Sequence, residues 1–139
     1  MTDTNGRPRP AITRDTAPWW QGLRDRQLLV QRCGQCRAYQ HPPEPLCMSC
    51  GHDQPDRVPA AGTGRIHSFT VHHEPRIPGF TFPYVVVLVE LDEGVRVIGN
   101  LEGVEPADVL IGIPVVVGFL DIDDEVTVPV FRPADEGSP

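Results

Sequence analysis

The chain has 139 residues and a mass of 15.3 kDa, with 40% hydrophobic and 22% charged residues, which suits one domain, or one small domain with an appendage, and excludes a fully disordered chain. Sixteen prolines and thirteen glycines favour short strands and turns over long helices. The formal net charge is −7 and all 12 basic residues are arginine, a balance that argues against nucleic acid as the ligand, because that affinity rests on cations neutralising phosphates.

Residues 1–14 are polar and rich in Pro, Gly and Arg, and read as a flexible tail. They contain no apolar signal-peptide core. No apolar run approaches the ~20 residues that cross a bilayer, so a cytoplasmic protein with no membrane contact is expected. In that compartment thiols stay reduced, and paired cysteines read as metal ligands before disulfides.

The stretch "DTAPWWQGLRDRQLLVQRC" predicts a short helix over Ala17–Arg26, capped by Thr16, with Pro18 in its first turn. Trp19 and Leu23 share one face. Trp19 and Trp20 point about 100° apart. Two readings stay open: both pack on their own domain, or the helix docks a partner, since tryptophan is enriched at interface hot spots. "QLLVQR" then reads as a strand.

All four cysteines follow in the spacing C-x2-C, ten residues, C-x2-C: Cys33, Cys36, Cys47 and Cys50. Each CxxC places two thiolates on one tight knuckle, and two knuckles complete a tetrahedral S4 site. Zinc fits best, as one structural ion; iron in a rubredoxin-like site is the competitor. A redox dithiol would need one CxxC and a surrounding βαβ pattern, which is absent. His41 and His52 lie near a set already filled by sulfur and read as surface residues. Helix and ribbon together span 15–60.

"DQPDRVPAAGTG" reads as a turn-rich linker. From 61 to 133 the pattern is β. "GRIHSFTVHH" alternates, with His67, Phe69 and Val71 on one face. "YVVVLVEL" is a buried strand and "DEG" a hairpin turn. "VRVIGNL", "PVVVGFL" and "TVPVFRP" are further strands, with a short helix at "EGVEPADVLIGI" between the third and fourth. Five short strands with a small helix in that place are the layout of an OB-fold barrel, so the fold class is mainly β: helix, zinc ribbon, five-stranded OB-fold. Residues 134–139 read as a second tail.

No catalytic residue is expected. His67, His72, His73 and Glu74 gather at a strand end, where polar residues are solvated. "DIDDE", Asp121 to Glu125, lacks the spacing and glycine of a calcium loop. The loop Glu74–Pro83 is more informative: Ile77, Phe80 and Phe82 lie between prolines, where they either fold back on the barrel or form a contact surface. The expected contact surface is Trp19, Trp20, Ile77, Phe80, Phe82 and Arg76.

"WWQGLRDRQLLVQRC", "CGQC…HPPEPLCMSC", "GTGRIHSFTV", "FPYVVVLVEL", "IGNLEGV", "IGIPVVVGF" and "VPVFRP" together resemble an acyl-CoA-associated family with a rubredoxin-like zinc ribbon and a C-terminal OB-fold, catalogued as domain of unknown function 35. The resemblance covers roughly residues 15 to 133. It implies a companion of thiolase-fold enzymes, most similar to the domain that partners the lipid-transfer-protein-like thiolase/aldolase of steroid side-chain degradation. The partner would then perform the retro-aldol cleavage of a 3-hydroxyacyl-CoA. This chain would be a non-catalytic subunit that stabilises the partner and helps form the acyl-CoA entrance, with Trp19, Trp20, Ile77, Phe80, Phe82 and Arg76 touching the partner or the acyl-CoA and Arg65, Arg76 and Arg96 available to a CoA phosphate. A nucleic-acid-binding ribbon–OB protein and a rubredoxin-like electron carrier are the alternatives. The sequence departs from the family's knuckles at one place: Gly51 follows Cys50, but Arg37 follows Cys36.

Overall fold

The structure, a computed structural model, describes residues 7–134. The expected tails fall partly on residues 1–6 and 135–139, which lie outside the described residues.

Helix α1, Ala17–Arg24, is shorter than the sequence predicts. It ends because Arg26 takes a left-handed backbone (φ 61°), which an α-helix cannot continue. The expected Thr16 cap does not form. The Thr16 hydroxyl instead accepts the Thr13 N–H at 2.9 Å, and the two threonines close a turn ahead of the helix.

A three-stranded antiparallel sheet follows, ordered β2-β1-β3, from β1 Leu29–Cys33, β2 Tyr39–Gln40 and β3 Pro55–Pro59. β3 corrects the linker expected there: its five residues pair with all of β1, from Leu29 opposite Pro59 to Cys33 opposite Pro55. Proline lacks the N–H of a central strand, and the two prolines of β3 sit at its ends, on a sheet edge where that N–H is not needed.

β3 runs into the barrel across three residues. Ala60 N–H bonds the Leu28 carbonyl on the ribbon side, Ala61 N–H bonds the Glu93 carboxylate on the barrel side, and the Gly62 carbonyl accepts Val117 N–H. Five strands then close the barrel: β4 Thr63–His72, β5 Tyr84–Leu91, β6 Arg96–Leu101, β7 Pro114–Asp121 and β8 Thr127–Pro133, in the order β4-β5-β6-β8-β7. The single parallel pairing, β6 with β8, closes the barrel and leaves no open edge. The helix expected between β6 and β7 is only a 3-10 turn, Pro106–Asp108. A bulge between Ile66 and Ser68 breaks the predicted alternation of β4: Ile66 joins Phe69 and Val71 on the face paired with the buried Val89, Val87 and Val85, and His67 is exposed.

One apolar cluster joins the two parts. Trp19, Leu23, Leu28 and Val30 of the helix and ribbon are continuous with Ile66, Val87, Val89, Val97, Val115 and Phe131 of the barrel. Each such side chain contributes about 1.5–3 kcal/mol by leaving water. No helix among the described residues is long and apolar enough to cross a membrane.

Phe131 is fully buried at the centre of this cluster. Phe131→Ala should cost about 3–5 kcal/mol, read as a lowered urea midpoint with metal content held constant.

Candidate functional site

The four cysteine sulfurs lie within 4.8 Å of one another. β1 delivers Cys33 at its last residue, and the turn after it brings Cys36 round; Cys47 and Cys50 sit on the second knuckle. Cys33 and Cys50 sulfurs are 3.6 Å apart, as are those of Cys36 and Cys47. A tetrahedron of Zn–S bonds of about 2.3 Å has edges of about 3.8 Å, so the donor set fits a four-coordinate zinc with no open position.

Backbone amides prepare the thiolates. Gln35 and Cys36 N–H groups donate to the Cys33 sulfur at 3.3 Å each, and Ser49 N–H donates to the Cys47 sulfur at 3.4 Å. Burial raises the Cys33 thiol, but these amide bonds outweigh it and bring it down to about 6. Cys47 is lowered by the amides of Cys50 and Ser49. Cys36 gains a bond from the Ala38 amide, but its contact with the Cys47 sulfur and its burial push it up to about 12. A cation held by the four sulfurs would favour their thiolate forms. Gln31, buried on β1, accepts the Glu44 N–H at 2.8 Å and so holds the chain between the knuckles.

The Arg37 departure has a clear geometry. Gly51 has φ +76°, and Arg37, at the equivalent place, has φ +67°. Both knuckles therefore turn through the left-handed region, and the first does so with a side chain that strains there.

The second feature is an apolar groove of about 590 Å³. Trp19 and Trp20 of α1, Ile77 and Phe80 of the β4–β5 loop, Ile98 of β6 and Val128 of β8 line it. His41–Pro43 of the ribbon closes one end, and residues 7–11 run along it as a strap. Arg7 donates from Nε to the Gly79 carbonyl at 3.2 Å and lays its guanidinium 3.9 Å from the Phe80 ring centre. Arg9 pairs with Asp123 at 2.8 Å. The strap comes so close to Gly79 (φ +88°) that a Cβ there would meet Arg7 at 2.5 Å.

Four of the six expected contact residues thus meet in one place: Trp19, Trp20, Ile77 and Phe80. Trp19 is 6% exposed, whereas Trp20 is half-buried. Phe82 and Arg76 lie outside the groove, Arg76 being 5.6 Å from the Phe82 ring centre, beside a stack of His72, Tyr84 and Phe80. His41 is not the surface histidine expected: its ring sits 4.4 Å from that of Trp19, and burial pushes it down to about 4. Asp121 is tied by two 2.8 Å bonds to Arg26, and Asp123 caps the N–H groups of Glu125 and Val126, so the acidic turn is spent on structure. The sequence reading missed Ile98, Val128 and the strap. Ile98 points outward from its strand, and no local pattern tells such a residue from an ordinary exposed one.

A four-sulfur ribbon carried on a closed OB barrel defines a class of two-part zinc-ribbon–OB proteins. The family model "ChsH2, rubredoxin-like zinc ribbon domain" matches residues 20–56, and "ChsH2, C-terminal OB-fold domain" matches 57–120. A "DUF35 domain-containing scaffold protein" of Methanothermobacter thermautotrophicus is 31% identical over 80% of this chain and 86% of its own length. The chain belongs to this DUF35 family.

A "probable enoyl-CoA hydratase alpha subunit" of Thermomonospora curvata is 52% identical over 92% of this chain and 40% of its own length. The "3-oxo-4,17-pregnadiene-20-carboxyl-CoA hydratase alpha subunit" of Mycobacterium tuberculosis is 41% identical over 88% of this chain and 39% of its own. The chain therefore spans about two fifths of the length of these two relatives. Among solved structures, a chain of an "Ltp2-ChsH2(DUF35) aldolase" superposes with a TM-score of 0.88 at 50% identity, over 91% of this chain and all of that one.

Two outcomes follow from the site. Arg37→Gly removes the strain of the first knuckle and should stabilise the chain by up to about 1 kcal/mol, seen as a higher urea midpoint. His41 has its folded-state value depressed to about 4 from an ordinary 6.5, so the unfolded chain binds its proton more readily. Stability on this account is intact above about pH 6.5 and falls as pH drops toward about 4. His41→Phe keeps the stacking and should flatten the difference in urea midpoint between about pH 7 and about pH 5, measured against wild type so that thiolate protonation is common to both.

Proposed function

We propose that this chain is a non-catalytic accessory subunit of an acyl-CoA enzyme, a retro-aldolase of thiolase fold acting on a steroid side-chain 3-hydroxyacyl-CoA in the cytoplasm. Cys33, Cys36, Cys47 and Cys50 would hold one structural zinc, which supplies cross-linking of the two knuckles. The observation that carries the reading is the likeness, over 91% of this chain, to a chain of an "Ltp2-ChsH2(DUF35) aldolase", in both fold and sequence. The site's chemistry agrees with it. All four thiols converge on one cluster, which leaves none of them free as a nucleophile. The groove offers apolar rings and few polar groups, which suits contact better than proton transfer.

In this role the Trp19–Trp20 helix, the groove and the β4–β5 loop are the surface turned to the partner or to the acyl-CoA entrance. The test is co-expression with a thiolase-like enzyme, followed by affinity purification and a retro-aldol assay on a steroid 3-hydroxyacyl-CoA. The expected result is a stable hetero-oligomer that cleaves the substrate, an isolated chain that does not, and about one zinc per chain with no colour. Turnover by the isolated chain, or a red iron protein, would sink the reading.

A further inference from the structure

We propose that the groove beside the tryptophan helix is a binding site for an uncharged, rigid, polycyclic apolar group carrying few oxygens, of the kind a steroid ring system presents. The inference rests on the accessory-subunit reading for the choice of ligand, and on the groove itself for its chemistry.

The volume, about 590 Å³, falls in the range of small-molecule sites. The walls are flat and stiff. Two indoles, the Phe80 ring and prolines on the strap and on the 41–43 turn have few rotors to freeze when a ligand enters. Ile98 stands on the outer face of β6 with 63% of its surface exposed, an apolar side chain set where the groove can be filled.

The polar inventory narrows the class. Arg9 is spent on Asp123, and Arg7 is laid on the Phe80 ring and bonded to Gly79, so neither stands ready inside the groove for a phosphate or carboxylate. Nucleotides and charged heads are excluded from its interior on that ground. A peptide strand brings a donor and an acceptor at nearly every residue, more than the side chains of Thr16, Trp20, His41 and Asn100 in this lining can partner.

Two polar atoms of the lining are buried without a hydrogen-bond partner among the described residues: Trp20 Nε1 and His41 Nδ1. Native structures leave few such atoms, and each asks for an explanation. A ligand carrying one carbonyl or hydroxyl, reached by a small rotation of the half-buried Trp20 ring, would satisfy the indole N–H. A straight acyl chain could enter the same space, but it would lose the freedom of each of its bonds, whereas fused rings have none to lose.

The two tryptophans of the chain both line the groove, so its own fluorescence reports the occupant. The zinc-loaded full chain is titrated with progesterone, and in parallel with palmitate. The expected result is saturable quenching by progesterone, with palmitate weaker by at least about tenfold. Ile98→Asp places a charge on the apolar wall and should weaken progesterone by at least about tenfold, with zinc content and circular dichroism unchanged. Trp20→Phe keeps the apolar body, removes the N–H and leaves Trp19 as reporter; it should weaken binding several-fold.

No saturable response up to the solubility limit, an unaltered response in Ile98→Asp, or equal binding of palmitate would overturn the proposal. If progesterone fails to bind while the chain still co-purifies with its enzyme and supports cleavage, this inference falls and the accessory reading stands. If Ile98→Asp abolishes co-purification and no steroid binds, the groove is the partner's seat, which also overturns it.

Discussion

The contact of the Trp19–Leu23 face of α1 with the barrel is the constraint on which the other features depend. A helix of eight residues is too short to persist in water on its own. It exists because Leu23 is wholly buried and Trp19 nearly so, in the same cluster as Phe131 and the barrel valines. That burial sets the helix, the helix sets the start of β1, and β1 carries the first cysteine of the cluster at its last residue. The exposed Arg26–Asp121 pair adds direction to the joint more than stability.

The four-sulfur cluster is the second fixed point, and its geometry matters more than which ion it would hold. Four sulfurs would leave a tetrahedral ion no place for substrate, which suits a ribbon that contributes shape. The barrel is closed and also offers shape: its strands have no free edge to pair with another chain. What remains for recognition is the surface between ribbon and barrel, and the groove lies there, walled by segments from both.

How much of this was legible in the sequence follows from the range of the forces involved. The cysteine spacing and the apolar run "YVVVLVEL" are local signals, and they pointed to the ribbon and to β5. β3 was hidden because Pro55 and Pro59 bracket it and Asp56 and Arg57 sit within it; its partner β1 lies more than twenty residues away and decides the matter. Arg37 could be flagged as a departure, but only backbone angles reveal that it accepts the glycine conformation. The groove was half legible. Aromatic residues in odd places pointed to Trp20 and Phe80, while the strap read as a tail, since nothing local in "RPRPA" announces that Arg7 and Arg9 are anchored 72 and more residues away.

The three residues between ribbon and barrel have a mechanical consequence. Ala60 is bonded back to the ribbon, Ala61 forward to a barrel carboxylate, and Gly62 to β7, so the junction has no slack in which a hinge could form. Torque applied to the tryptophan helix would reach the barrel through these three bonds. Whatever grips one end of this molecule thereby aims the other, as a handle aims a blade.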